Sequence, residues 1–184
     1  MSLPATSPSM FTVINWNIEG AKQNQFSLKY FVDRESPDFI FLNECLLFQH
    51  EKSEATDILK GEYCHALSSD DTLDPELPFV KNRSNGGTMI LWKNNLDKFV
   101  TVLNTETPSF LGILFHHPDC EPSLHISLYL PTSGKESEFI EEITKLRDFI
   151  DDTLEQHPGS RVFIRGDSNV NINNKNIQRF PRQL

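Results

Sequence analysis

Apolar positions along the chain fall into short blocks, and several are too continuous for strands with one wet face. Residues 11–18 (Phe-Thr-Val-Ile-Asn-Trp-Asn-Ile) and residues 38–44 (Asp-Phe-Ile-Phe-Leu-Asn-Glu) are rich in β-branched and aromatic side chains and predict strands. The second is nearly unbroken, as expected of a strand covered on both faces. Between them, residues 25–35 predict a helix with Phe26, Tyr30 and Phe31 on one side, stopped by Ser36-Pro37. Residues 48–59 are amphipathic at helical spacing. Residues 62–83 show no period, and their acidic run at 68–74 with Pro75 and Pro78 predicts a surface loop. Ser84-Asn85-Gly86-Gly87 predicts a turn into a strand at 88–93, and Asn94-Asn95 a turn into another at 98–103. Residues 110–116 and 124–130 predict a hairpin across a Pro/Asp loop. Residues 137–156 carry the longest helical stripe, Phe139, Ile143, Leu146, Phe149, Ile150 and Leu154. Pro158-Gly159 ends it. A buried strand at 162–164 then runs into Gly166, and residues 171–184, Asn-rich and then basic, predict no clear element.

Hairpin-like runs set inside a strand–helix alternation predict an α/β (α+β) architecture of mixed sheets covered by helices. No internal repeat or linker interrupts it. Residues 11–184 read as one domain behind a Ser/Pro-rich flexible lead, residues 1–10.

Composition narrows the partners. Against 17 Lys and Arg stand 26 Asp and Glu, a net charge of −9. Such a chain does not wrap nucleic acid by bulk charge, although a bound metal can supply positive charge locally. No apolar run reaches the ~18 residues of a membrane span, and the lead lacks the regions of a signal peptide. Cys45, Cys64 and Cys120 are odd in number and lack a Cys-x-x-Cys pair. They read as free thiols of a reducing, intracellular compartment, with the nucleus compatible.

Candidate chemistry sits where predicted strands end. Asn17 follows the first strand, Glu44 the second, Tyr129 ends the strand before the long helix, and Asp167 and Asn169 follow the last. In extended chain, residues two apart point the same way, so Asp167 and Asn169 are expected to project together. A carboxylate beside an amide suits a hard cation and the phosphate it holds. A charge at Glu44 after an apolar strand is costly unless paired or bound to metal. Tyr129 can donate to a phosphate oxygen, and Asn17 can orient one. Each residue also has an ordinary reading: Asn17 caps a turn, Glu44 begins a helix, Tyr129 packs at the rim, and Asp167 with Asn169 forms an Asp/Asn turn.

Five short runs in order give the decisive pattern: Asn15-Trp16-Asn17; Pro37 to Glu44; Asn85-Gly86-Gly87-Thr88-Met89-Ile90-Leu91; Leu128-Tyr129-Leu130-Pro131; and Gly166-Asp167-Ser168-Asn169. Together they resemble the endonuclease/exonuclease/phosphatase superfamily, which includes apurinic/apyrimidinic endonucleases and the endonuclease domains of non-LTR retrotransposons. Leu130-Pro131-Thr132-Ser133-Gly134 with the Gly-Asp-x-Asn run resembles the retrotransposon branch most. The resemblance implies a four-layer sandwich of two mixed sheets between helices. It also implies a Mg²⁺- (or Mn²⁺-) dependent phosphodiester hydrolase, a DNA-nicking endonuclease of retrotransposon or repair type. By motif, Asn17 and Glu44 are the expected metal residues. Asp167 and Asn169 are expected to orient the nucleophilic water and the phosphate, and Tyr129 to contact the scissile phosphate.

The chain also departs from that pattern. The superfamily ends on a strand bearing Ser-Asp-His, and none of the six histidines here follows Asp167. The sequence therefore reads as a C-terminally incomplete member lacking its last strands, with an exposed sheet edge open to self-association. The alternative reading is a catalytically dead relative acting as a binding or scaffolding module. A phosphatase acting on a small substrate ranks last, because no basic pocket motif is found.

Overall fold

The computed structural model describes residues 10–51, 57–59, 61–70, 85–131 and 135–169. Among the described residues, eight strands and two α-helices follow in the order β1 (Val13–Asn17), α1 (Gln25–Glu35), β2 (Phe39–Asn43), β3 (Tyr63–Asp70), β4 (Asn85–Lys93), β5 (Val100–Leu103), β6 (Phe110–Phe115), β7 (Ser123–Tyr129), α2 (Glu136–Gln156) and β8 (Arg161–Asp167). The strands form two four-stranded sheets, ordered β1-β2-β4-β3 and β5-β6-β7-β8. Each sheet repeats one plan. A parallel pair joined by a helical crossover (β1–β2 through α1, β7–β8 through α2) continues into antiparallel pairings.

Alternation along the strands sorts the apolar side chains into three cores. In β2, Ile40 and Leu42 point outward with Leu28 and Val32 of α1. Phe39 and Phe41 point inward, where they meet Ile90, Trp92, Ile113 and Phe115 between the sheets. Leu124, Ile126 and Leu128 of β7 face Leu146 and Ile150 of α2. The result is the helix–sheet–sheet–helix layering expected from sequence. β2 is buried throughout, which explains its unbroken apolar run. The inner face of β7 is unlike the rest: it carries Ser123, His125 and Ser127, all buried.

Two local expectations are corrected. Residues 63–70, expected to be loop, form β3, paired antiparallel with β4 from Tyr63↔Lys93 to Asp70↔Asn85. Its small residues found no period of their own because β4 supplies the bulk: Ala66 lies opposite Ile90 and Leu67 opposite Met89. On α1 the buried face is Leu28 and Val32, whereas Phe26 and Tyr30 are exposed and Arg34 lies over the Tyr30 and Phe31 rings. The centre of the helix expected over 48–59, residues 52–56, lies outside the described residues, with 3₁₀ turns at Gln49–Glu51 and Asp57–Leu59 on either side. The acidic run from 71 onward, Thr132-Ser133-Gly134, the tail and the lead before Met10 lie outside the described residues.

Candidate functional site

The carboxyl ends of β1, β2, β7 and β8 meet on one side of the sandwich. Glu44 is at the centre. Its Oε1 accepts hydrogen bonds from Asn17 Nδ2 at 2.9 Å and from the Tyr129 hydroxyl at 3.0 Å. Asn17 and Glu44 belong to the first sheet and Tyr129 to the second, so this carboxylate bridges the two. Its Oε2 makes no hydrogen bond among the described residues and is available to a ligand.

Backbone geometry fixes this position. Glu44 has a left-handed φ of 52°, uncommon for a side chain with a Cβ and found where surrounding contacts enforce it. Here Gly20 N–H bonds to the Glu44 carbonyl at 2.8 Å. The following residues, Cys45 and Leu46, donate to the carbonyls of Gly87 and Gly86. Gly86 also explains the Gly-Gly run: at φ 58° it lies so close to Tyr129 that a Cβ would stand 2.8 Å from the ring. The glycine seats the tyrosine, and the tyrosine hydroxyl seats Glu44.

Asp167 is the register neighbour of Tyr129 on the parallel strands β7 and β8. Asn169 is brought beside it by a turn rather than by extended alternation, which corrects the expectation. Asn169 has φ 50°, its N–H donates to Asp167 Oδ1 at 2.8 Å, and its Nδ2 donates to the Leu130 carbonyl at 2.8 Å. The ordinary Asp/Asn turn and the polar cluster are thus the same object. The turn lies against Tyr129. Burial first, then the Glu44 hydrogen bond and the nearby Asp167, raise the phenol pKa, and a bond with Asn169 only partly offsets this. Tyr129 therefore stays a proton donor through the neutral range.

All five sequence-derived residues are thereby brought together. Their donor set is two carboxylates, two amides and a phenol, all offering oxygen and none a positive charge. That chemistry fits a hard cation that keeps several waters and takes one or two carboxylates. Among the described residues no cluster of three or more His, Cys, Asp or Glu side chains accompanies them. In the present arrangement Asn17 turns its nitrogen to Glu44, and its oxygen accepts from Glu19 N–H at 3.3 Å. It therefore serves as a positioner of Glu44.

One contributor escaped the sequence reading. Asn43, the residue before Glu44, is 1% exposed, and its Nδ2 donates across the sheets to the Leu128 carbonyl at 3.0 Å and to Ser127 Oγ at 3.3 Å. It ties the end of β2 to β7 one residue before Tyr129. Its signal was present, since an amide inside an apolar strand demands a partner.

Comparison with known proteins supports this assignment of fold. No family model and no curated protein sequence matches the chain. Solved structures do. An endonuclease/exonuclease/phosphatase family protein from Bacteroides thetaiotaomicron aligns over 96% of this chain and 70% of its own, at 15% identity and TM-score 0.62. The chain has the endonuclease/exonuclease/phosphatase fold. Other structures with this fold agree. The AP endonuclease LMAP from Leishmania major matches at 19% identity and TM-score 0.56, over 76% of this chain and 47% of its own. The 3′ phosphatase NExo from Neisseria, bound to a product DNA hairpin, matches at 13% identity and TM-score 0.62, over 88% and 58%. The chain thus spans about half the length of LMAP and less than two thirds of NExo.

Proposed function

We propose that the chain is a divalent-metal-dependent phosphodiester hydrolase acting on DNA. The observation that carries this reading is Glu44, whose carboxylate is held through Oε1 by donors from both sheets and whose Oε2 has no hydrogen bond among the described residues. Glu44 would hold Mg²⁺ or Mn²⁺, with Asn17 fixing its orientation and Asp167 as the second carboxylate. The metal, when bound, supplies charge neutralisation at a phosphate. The rest falls to the protein. Tyr129, whose one proton goes to Glu44 in the free protein, would turn it toward a phosphate oxygen as substrate binds, and the Asp167 carboxylate, held by Asn169 N–H, would orient a water. The net charge of −9 makes that local positive centre the means of approach to DNA. A neighbour of the same fold is bound to a DNA hairpin, which supports this substrate class. The finer assignment, an endonuclease of retrotransposon type, rests on Gly166-Asp167-Ser168-Asn169 and on the Leu130-Pro131 run. Pairing of two copies along β8, the last strand of its sheet among the described residues, belongs to the same proposal.

A second reading, a non-catalytic binding module, is favoured by one observation. Among the described residues no histidine adjoins the Asp167–Asn169 turn, and His125 on β7 is engaged elsewhere, by Ser123 and Arg165. One assay separates the two: nicking of supercoiled plasmid with Mg²⁺ by the wild type and by Glu44→Ala. Mg²⁺-dependent nicking lost in the variant supports the hydrolase. No nicking, or equal nicking, rejects it.

A further inference from the structure

The strands that end at the candidate site begin at a second feature. Between the amino ends of β1, β2, β7 and β8 opens a cavity of about 570 Å³, within the range of small-molecule pockets. Its walls combine aromatic rings, Phe39, Phe115 and Phe163 among them, with charged side chains. Phe163 is 38% exposed and stacks on His125 at 5.1 Å, and His125 stacks in turn on Phe39 at 5.7 Å.

Set into this wall is Arg165. Its guanidinium lies 5.0 Å from the Phe41 ring centre and 5.1 Å from that of Phe163. Among the described residues no carboxylate comes within ion-pair distance of it. Of the other charges at the cavity, Arg161 pairs with Glu121, and Asp119 lies beside His117, whose Nδ1 accepts the Asp119 backbone N–H. Arg165 is thus a half-buried cation without a carboxylate partner among the described residues, in surroundings where a charge is costly without a counter-ion.

The Ser123–His125 contact, 2.8 Å between Oγ and Nε2, suggests a nucleophilic dyad at first sight. The hydrogen-bond chain excludes that. Arg165 Nη1 lies 3.0 Å from His125 Nδ1, and a guanidinium can only donate. Nδ1 is therefore the acceptor, Nε2 carries the proton, and that proton points at Ser123 Oγ. The imidazole cannot take a proton from the serine. Instead the Ser123 hydroxyl keeps its own hydrogen. Arg165 and Ser123 thus flank the imidazole at its two nitrogens, and Arg165 is the cation beside the Phe163 ring.

We propose that this cavity binds a small planar aromatic molecule carrying one anionic group, the anion on Arg165 and the ring against Phe163. Arg165, one cation without a carboxylate partner among the described residues, sets the ligand charge at one. Two sources share that chemistry: a free aromatic acid, or the base and phosphodiester of a nucleotide. The inference does not rest on the hydrolase reading, because neither Glu44 nor Asp167 lines the cavity.

Calorimetric titration with 2-naphthoate, with neutral 2-naphthamide and with thymidylyl-(3′→5′)-thymidine tests it. The anion is expected to bind at least about tenfold tighter than the amide, and Arg165→Gln to remove that preference. Glu44→Gln, which disables the proposed hydrolase, is expected to leave 2-naphthoate affinity unchanged. The tighter of the two anions identifies the source. Should Arg165→Gln fail to fold, Phe163→Leu on the exposed wall is expected to weaken 2-naphthoate severalfold. No binding at millimolar 2-naphthoate, equal affinity for acid and amide, or unchanged affinity in the variants overturns the proposal.

Discussion

Acidification should destabilise this protein through His125 before its carboxylates titrate. Burial first, and then the Arg165 guanidinium, bring the imidazole pKa down from 6.5 to about 4. The unfolded chain therefore takes up this proton before the folded one does. The contribution is whole above about pH 6.5 and is lost as pH falls toward about 4. At ~1.4 kcal/mol per pKa unit the full loss is ~3 kcal/mol, of which ~2 kcal/mol is gone by about pH 5. Carboxylates held below their ordinary 4.5 by hydrogen bonds, such as Glu51 bonded by Lys22, act only lower down. Urea unfolding at steps between about pH 7 and about pH 5 measures the slope in wild type and in His125→Gln. The wild type should lose ~2 kcal/mol, or about 4–8 °C in Tm for a chain of this size, with the variant much flatter. Parallel curves would show that the imidazole is not held neutral, and would refute the hydrogen-bond chain from Arg165 to Ser123.

Four further outcomes are expected. Gly166→Ala, whose Cβ would stand 1.9 Å from the Leu128 carbonyl oxygen at φ 140°, should prevent normal folding, seen as loss of the cooperative melt. Gly86→Ala should cost about 1–3 kcal/mol and displace Tyr129, which near-ultraviolet circular dichroism reports. Tyr129→Phe should change stability by only about 1 kcal/mol yet lower Mg²⁺-dependent nicking by on the order of 10²-fold, because it deletes the hydroxyl on Glu44. Cys45 is fully buried and its thiol pKa is pushed far up, so it should resist iodoacetamide at neutral pH until denaturant is added, as peptide mapping would show.

What could be read in the sequence follows from how each part is encoded. β2 announced itself because both of its faces are covered, one by α1 and one by the opposite sheet. The candidate site was legible because its residues interrupt apolar strands where a polar side chain needs a reason. β3 was not, because a strand of small residues takes its order from a bulkier neighbour. The α1 aromatics misled, because exposed Phe26 and Tyr30 mimic a core stripe. The cavity around Arg165 was invisible for another reason. Ser123, His125 and Ser127 alternate with leucine and isoleucine like any half-wet strand, and only the packing of one sheet on the other turns that polar side inward.

The bridging of Glu44 across the sandwich has a mechanical consequence. Its two donors ride on separate slabs that touch chiefly through a layer of phenyl rings, so the carboxylate works as a caliper on the gap. Shaving Phe115, far down that gap, would let the slabs settle together, and the caliper would register the change as altered chemistry at a place where no atom had been replaced.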